Sequence, residues 1–152
     1  MMTRTYRLDT ANPFKQGSAE WCRREQKLRE QVHNLLIYLL TKSHRVVLKY
    51  WPSDFQLPHD LEGSTFGVKK LLPLALKVTP IIPYGMEELI CAVNAQTINK
   101  LLPDLDKGGE KIVPWFHLEL WDENGMILLL IADFGEDVLM NLTDDDLKVI
   151  KE

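Results

Sequence analysis

Four histidines, two cysteines and a scatter of carboxylates are the side chains in this 152-residue sequence whose chemistry could amount to more than structure. A zinc site needs His, Cys or carboxylate ligands at spacings that close a tetrahedron, and none of His33, His44, His59 and His117 has such neighbours. His33 follows Val32 in a helical stretch, where a half-buried, hydrogen-bonded ring is expected. His44 ends that stretch, where an imidazolium would offset unpaired carbonyls. His117 is different. It shares a strand face with Glu119, between Trp115 and Trp121, and a carboxylate beside an imidazole in aromatic surroundings can do acid–base work. Catalysis would also need a nucleophile or a substrate anchor, yet the sequence has no Gly-x-Ser-x-Gly elbow, catalytic cysteine motif or phosphate loop. Trp115, His117, Glu119 and Trp121 are therefore expected to bind a partner, with tryptophan as anchor and charge as guide.

Other chemistries are disfavoured by composition. Eighteen basic against 22 acidic side chains give a net charge of −4, and a general grip on phosphate backbones needs clustered cations. Arg23, Arg24, Lys27 and Arg29 come closest, but interleaved glutamates make them a solvated helix face. Asp122, Glu123, Asp133, Glu136, Asp137 and Asp144 to Asp146 lack the alternate ligand positions, central glycine and closing Glu of an EF-hand loop. No metal or other cofactor is expected. The longest apolar run, Met126 to Ala132, is seven residues, against the ~20 that span a bilayer. Met1 to Thr10 holds no apolar leader core, so the expected setting is cytoplasmic, with Cys22 and Cys91 reduced and buried.

These side chains must be positioned by elements that the sequence marks with uneven clarity. Residues 1–17, broken by Asn12-Pro13 and Gly17, form an extended lead-in; residues 18–152 form a single domain, long enough to bury roughly 70% of its unfolded surface. Ser18 caps a helix whose apolar side is Trp21, Leu28, Val32, Leu35, Leu36 and Leu39, with Glu20–Arg24 and Glu25–Arg29 pairs on its other side. Arg45 to Trp51 alternates as a strand ended by Pro52. A long loop follows, from Pro52 to Gly67. Extended structure is expected at Ala75 to Ile82 and Glu88 to Val93, then a short helix capped by Asn94 and ended by Pro103.

The C-terminal third reads as a meander. Trp115 to Asp122 alternates, Asn124-Gly125 signals a two-residue turn, and the resulting register pairs Trp121 with Leu128, Glu119 with Leu130 and His117 with Ala132. Phe116, Leu118 and Leu120 then share the core side with Ile127, Leu129 and Ile131. Asp137 to Leu142 makes the third strand. Thr143 caps a terminal helix, with Asp144 to Asp146 in its first turn and Lys148 and Lys151 near its end. The fold class is α+β, an amphipathic N-terminal helix on a mainly antiparallel sheet.

Two functions fit these features. One is a non-catalytic protein-binding module, of the kind a bacterial inhibitor or immunity protein represents, meeting a basic partner. The other is a small enzyme or ligand-binding domain with its site between the sheet and the 52–67 loop, which requires His59, His117 and Glu119 to converge.

Overall fold

The computed structural model describes residues 2–59 and 63–150. Among them are seven strands: β1 (Arg4–Arg7), β2 (Arg45–Tyr50), β3 (Ala75–Ile81), β4 (Met86–Ala92), β5 (His117–Trp121), β6 (Ile127–Ala132) and β7 (Asp137–Leu142). The helices are α1 (Ala19–Leu40), α2 (Val68–Leu71), α3 (Ala95–Leu101) and α4 (Asp144–Ile150). The strands form one sheet in the order β1-β7-β6-β5-β2-β4-β3, every neighbouring pair antiparallel. The α+β class is as expected, and the lead-in takes part in it: Arg4 to Arg7 pairs with β7 as an edge strand.

Helix α1 forms because its start and stripe agree. The Ser18 side chain accepts from the Trp21 amide, and Leu28, Val32, Leu35, Leu36 and Leu39 are all buried. Against that stripe lies one side of the sheet, set by strand alternation and register. Val46 pairs with Leu120 and Cys91, Leu48 with Leu118 and Leu89, Leu120 with Leu129, and Leu118 with Ile131. All of these are buried. Burying each such aliphatic side chain is worth about 1.5–3 kcal/mol, so this layer dominates the stability. Helix α4 closes it at the β7 side, where Leu147 and Ile150 pack on the core. Lys151, expected to complement that helix's end, lies outside the described residues.

Several local expectations are corrected. Glu20 and Glu25 do not pair with Arg24 and Arg29. Arg24 instead donates to the Asp9 and Ala11 carbonyls and Arg29 to that of Gly109, while Glu25 accepts from Asn12. Those arginines tie the lead-in and the 102–116 connection to α1. Cys91 is buried, which pushes its thiol pKa up, but Cys22 is exposed because it lies off the α1 stripe. The carbonyls at the end of α1 accept from the Thr41 and Ser43 hydroxyls at 2.6 Å, so the capping assigned to His44 belongs to its neighbours.

The hairpin turn holds three residues rather than two. The Asp122 amide donates to the Met126 carbonyl, the Gly125 amide donates to the Asp122 carbonyl, and Gly125 has φ +81°. This is a turn completed by a left-handed glycine. A longer loop alone would exchange the faces of β6. An irregularity between Leu120 and Trp121 absorbs the extra residue, so Trp121 pairs with Ile127 instead of Leu128 while Glu119–Leu130 and His117–Ala132 stand as expected.

Gly67 is a second place where only glycine fits. Its φ is +83°, and a Cβ would lie 2.9 Å from the Trp115 indole nitrogen. Gly67→Ala is expected to cost about 2 kcal/mol from left-handed strain plus overpacking, read as a lower urea midpoint at unchanged slope. A midpoint within error of the parent would mean that Trp115 moves aside freely.

Candidate partner-binding face of the sheet

The side chains that alternate with the core layer project to the opposite side, which no described helix covers. Along β5, the middle strand of the seven, these are His117, Glu119 and Trp121. Val47 and Lys49 join them from β2, Glu88 and Ile90 from β4, Leu130 and Ala132 from β6, and Leu139 from β7, all through the strand register. Most are half-buried, because each leans on its cross-strand neighbours. An antiparallel sheet tolerates such a bare face, since side chains rather than backbone meet water there.

At its centre Glu119 is only 2% exposed. One carboxylate oxygen, Oε2, lies 2.9 Å from Lys49 Nζ and 2.7 Å from His117 Nε2, and Oε1 accepts from Trp121 Nε1 at 2.8 Å. Strand periodicity explains why: residues two before and two after Glu119 share its face, and Lys49 reaches it from β2, where Val47 is the direct partner of Glu119. Burial alone would raise the pKa of this carboxyl, but the His117, Lys49 and Trp121 donors outweigh it and hold the group down at about 2. It is an anion throughout the neutral range. Lys49 also lies 3.8 Å from Glu88.

The expected quartet is thus only partly a surface. Trp115 is 1% exposed and packs in the core. β5 begins at His117, so the alternation does not extend back to Trp115, whose ring lies against Gly67 instead. Glu119 is likewise not an exposed carboxylate, because the sheet buries it and three donors saturate it. His117 and Trp121 remain accessible. Their neighbour Arg45, paired in register with Trp121, and the Lys49 counter-ion were absent from the expected site. Alternation along Arg45 to Trp51 already put Val47 and Lys49 on one side, but nothing local says that β2 lies beside β5.

Trp121 also forms part of a shallow depression of about 470 Å³, bounded by His44, Arg45, Leu76, Lys77 and Ile90 and, across Trp121, by Asp122 and Glu123. Asp122 is engaged in its own turn, accepting from the Asn124 and Met126 amides. Arg45, Lys77 and Glu123 form no ion pair among the described residues.

His59 does not join this group. It is exposed, and the polar contacts of His117 and Glu119 go to each other, Lys49 and Trp121. Phe55 and Phe66 of the same loop pack on the core, under the helix side of the sheet. His33 is held in place, with Nε2 3.0 Å from the Ile112 carbonyl and Nδ1 3.4 Å from Asp106. Among the described residues no group of three or more His, Cys, Asp or Glu side chains could hold a metal ion, and no helix is long and apolar enough to cross a membrane. No family model, no curated protein and no solved structure matches the chain.

Proposed function

We propose that the protein is a non-catalytic protein-binding module whose docking surface is the uncovered face of the sheet, with Trp121 as its anchor and His117 beside it. The observation that carries this is the Glu119 arrangement. A buried anion at the centre of a bare sheet face contributes little net stability compared with an apolar residue, but it fixes the Trp121 indole, and a pre-oriented aromatic loses little entropy on docking. Acid–base chemistry is a poorer use of the same atoms. Three donors already engage the carboxylate, and among the described residues no Ser, Thr or Cys side chain hydrogen-bonds to His117. An inhibitor of a basic protein, in the manner of an immunity protein, is one form this function takes, with long-range attraction supplied by the net charge of −4.

A photo-crosslinking amino acid placed at Leu130 or Leu139, on the open face, is expected to give a discrete protein adduct in the source cells. The same probe at Ile37, exposed on α1, is not. Adding Trp121→Ala should lower the yield about tenfold, the loss of one interface anchor. Equal adducts from position 37, or none from 130 and 139, would remove the proposal's basis.

A further inference from the structure

Away from the docking face, on the helix side of the sheet, α1 and α4 reach the core separately and leave a groove of about 790 Å³ between them, within the ~300–1,000 Å³ of small-molecule sites. Its floor is apolar: Leu35 and Met140 are 4% and 5% exposed, with Leu8 and Ile150 beside them. Val149 has no other evident role. It lines the groove and is 55% exposed, whereas Leu147 and Ile150 of the same helix pack on the core. The α1 wall runs from Lys27 through Gln31 and Asn34 to Tyr38, positions four, three and four apart that share one side of the helix. At 1.5 Å per residue that wall is about 17 Å long, which leaves a channel roughly 7 Å across.

Length and width together select the occupant. A helix, ~10–12 Å thick with its side chains, is too wide. An extended peptide would lay backbone N–H and C=O groups on a floor of leucine, isoleucine and methionine that offers them no partner. A single alkyl chain needs none. The two ends differ in polarity, which sets the direction. Lys27 forms no ion pair among the described residues, whereas Glu30 on the same wall already accepts from Gln26 at 3.0 Å. At the other end the Tyr38 hydroxyl donates to Asp146 of α4, so Val149 and Ile150, about one turn further along α4, make that end apolar. We propose that the groove binds one unbranched aliphatic chain with an anionic head, of the fatty-carboxylate class. The head lies at Lys27, with the Gln31 amide one turn along, and the chain runs over Leu35 and Met140 to Val149. This site is on the opposite side of the sheet from Trp121 and stands or falls independently of the docking surface.

The test is a titration of the full chain, its methionine methyls labelled with carbon-13, with dodecanoate below its micellar concentration. The Met140 methyl resonance is expected to shift and saturate at one equivalent, while Met126, in the hairpin turn, stays still. Shortening the ligand to decanoate should weaken binding about tenfold, the loss of two buried methylenes. Dodecyltrimethylammonium should bind the parent at least tenfold more weakly than dodecanoate, and Lys27→Glu should reverse that preference. Val149→Asp should weaken dodecanoate by tenfold or more. Ile37→Asp, at an exposed α1 position outside the groove, should change nothing, and circular dichroism checks that every variant is folded. No saturable shift at Met140, equal affinity for the two head groups, or indifference to both Lys27→Glu and Val149→Asp overturns the proposal. Vesicles of an anionic phospholipid should not reproduce the shift; a shift from vesicles alone would assign the site to a membrane surface and overturn it too.

Discussion

Replacing Glu119 with alanine is expected to lower the stability at pH 7 by about 3–4 kcal/mol, although the residue touches no apolar core. The loss has two parts: the Lys49 and His117 contacts of a carboxylate that is itself 2% exposed disappear, and the Trp121 Nε1 donor loses its acceptor. Glu119→Gln keeps the shape and should cost less, about 2 kcal/mol, because an amide oxygen still accepts but no longer pairs with Lys49. The same carboxyl makes stability depend on pH. Its folded pKa is depressed to about 2 from an ordinary 4.5. The unfolded chain therefore takes up the proton first on acidification. Stability is complete above about pH 4.5 and is lost as pH falls towards 2, by roughly 3 kcal/mol in all. Urea midpoints measured between pH 6 and 2 should fall steeply for the parent and less steeply for Glu119→Gln. Parallel curves would show that Glu119 is not the group responsible.

The features behind that prediction divide cleanly into those the sequence displays and those it hides. Alternation is local, so β2, β5, β6 and β7 are legible, and so are the Ser18, Asn94 and Thr143 caps, each signalled within four residues of its helix. The residues that make the site are brought together by pairing between strands remote in sequence. Lys49 reaches Glu119 only because β2 lies beside β5, a neighbour relation that no short motif records. Burial is hidden for a related reason. A glutamate between His117 and Trp121 reads as exposed until the Lys49 ammonium that neutralises it is in place. Alternation carried back to Trp115 puts it on the wrong side, because β5 starts only at His117. The lead-in strand β1 is four residues long and follows no alternation of its own. Its structure comes from the free edge of β7, which accepts it.

A second large loss is expected at Asp146, where the sequence shows half of the arrangement and the fold supplies the rest. At the start of α4, Asp146 and the preceding Thr143 satisfy each other's amides: the Thr143 amide donates to Asp146 Oδ2 at 2.9 Å, and the Asp146 amide donates to Thr143 Oγ1 at 3.1 Å. The other oxygen, Oδ1, crosses to α1, accepting from the Tyr38 hydroxyl at 2.7 Å and from the Lys42 ammonium. One buried carboxylate thus closes the start of the terminal helix and fastens it to the longest one. Burial would raise its pKa, but the Lys42, Thr143 and Tyr38 donors hold it at about 2; Asp146 therefore also contributes stability that is lost on acidification, and accounts for the slope that Glu119→Gln retains. Asp146→Ala should cost about 3 kcal/mol, with the damage concentrated locally, because α4 has seven residues and helices that short do not persist without tertiary support. Native-state hydrogen exchange should show protection lost across residues 144–150 while β5 and β6 keep theirs. Uniform loss across the sheet would mean that α4 is not a separable unit, and an unchanged profile would mean that Leu147 and Ile150 alone are enough to hold it down.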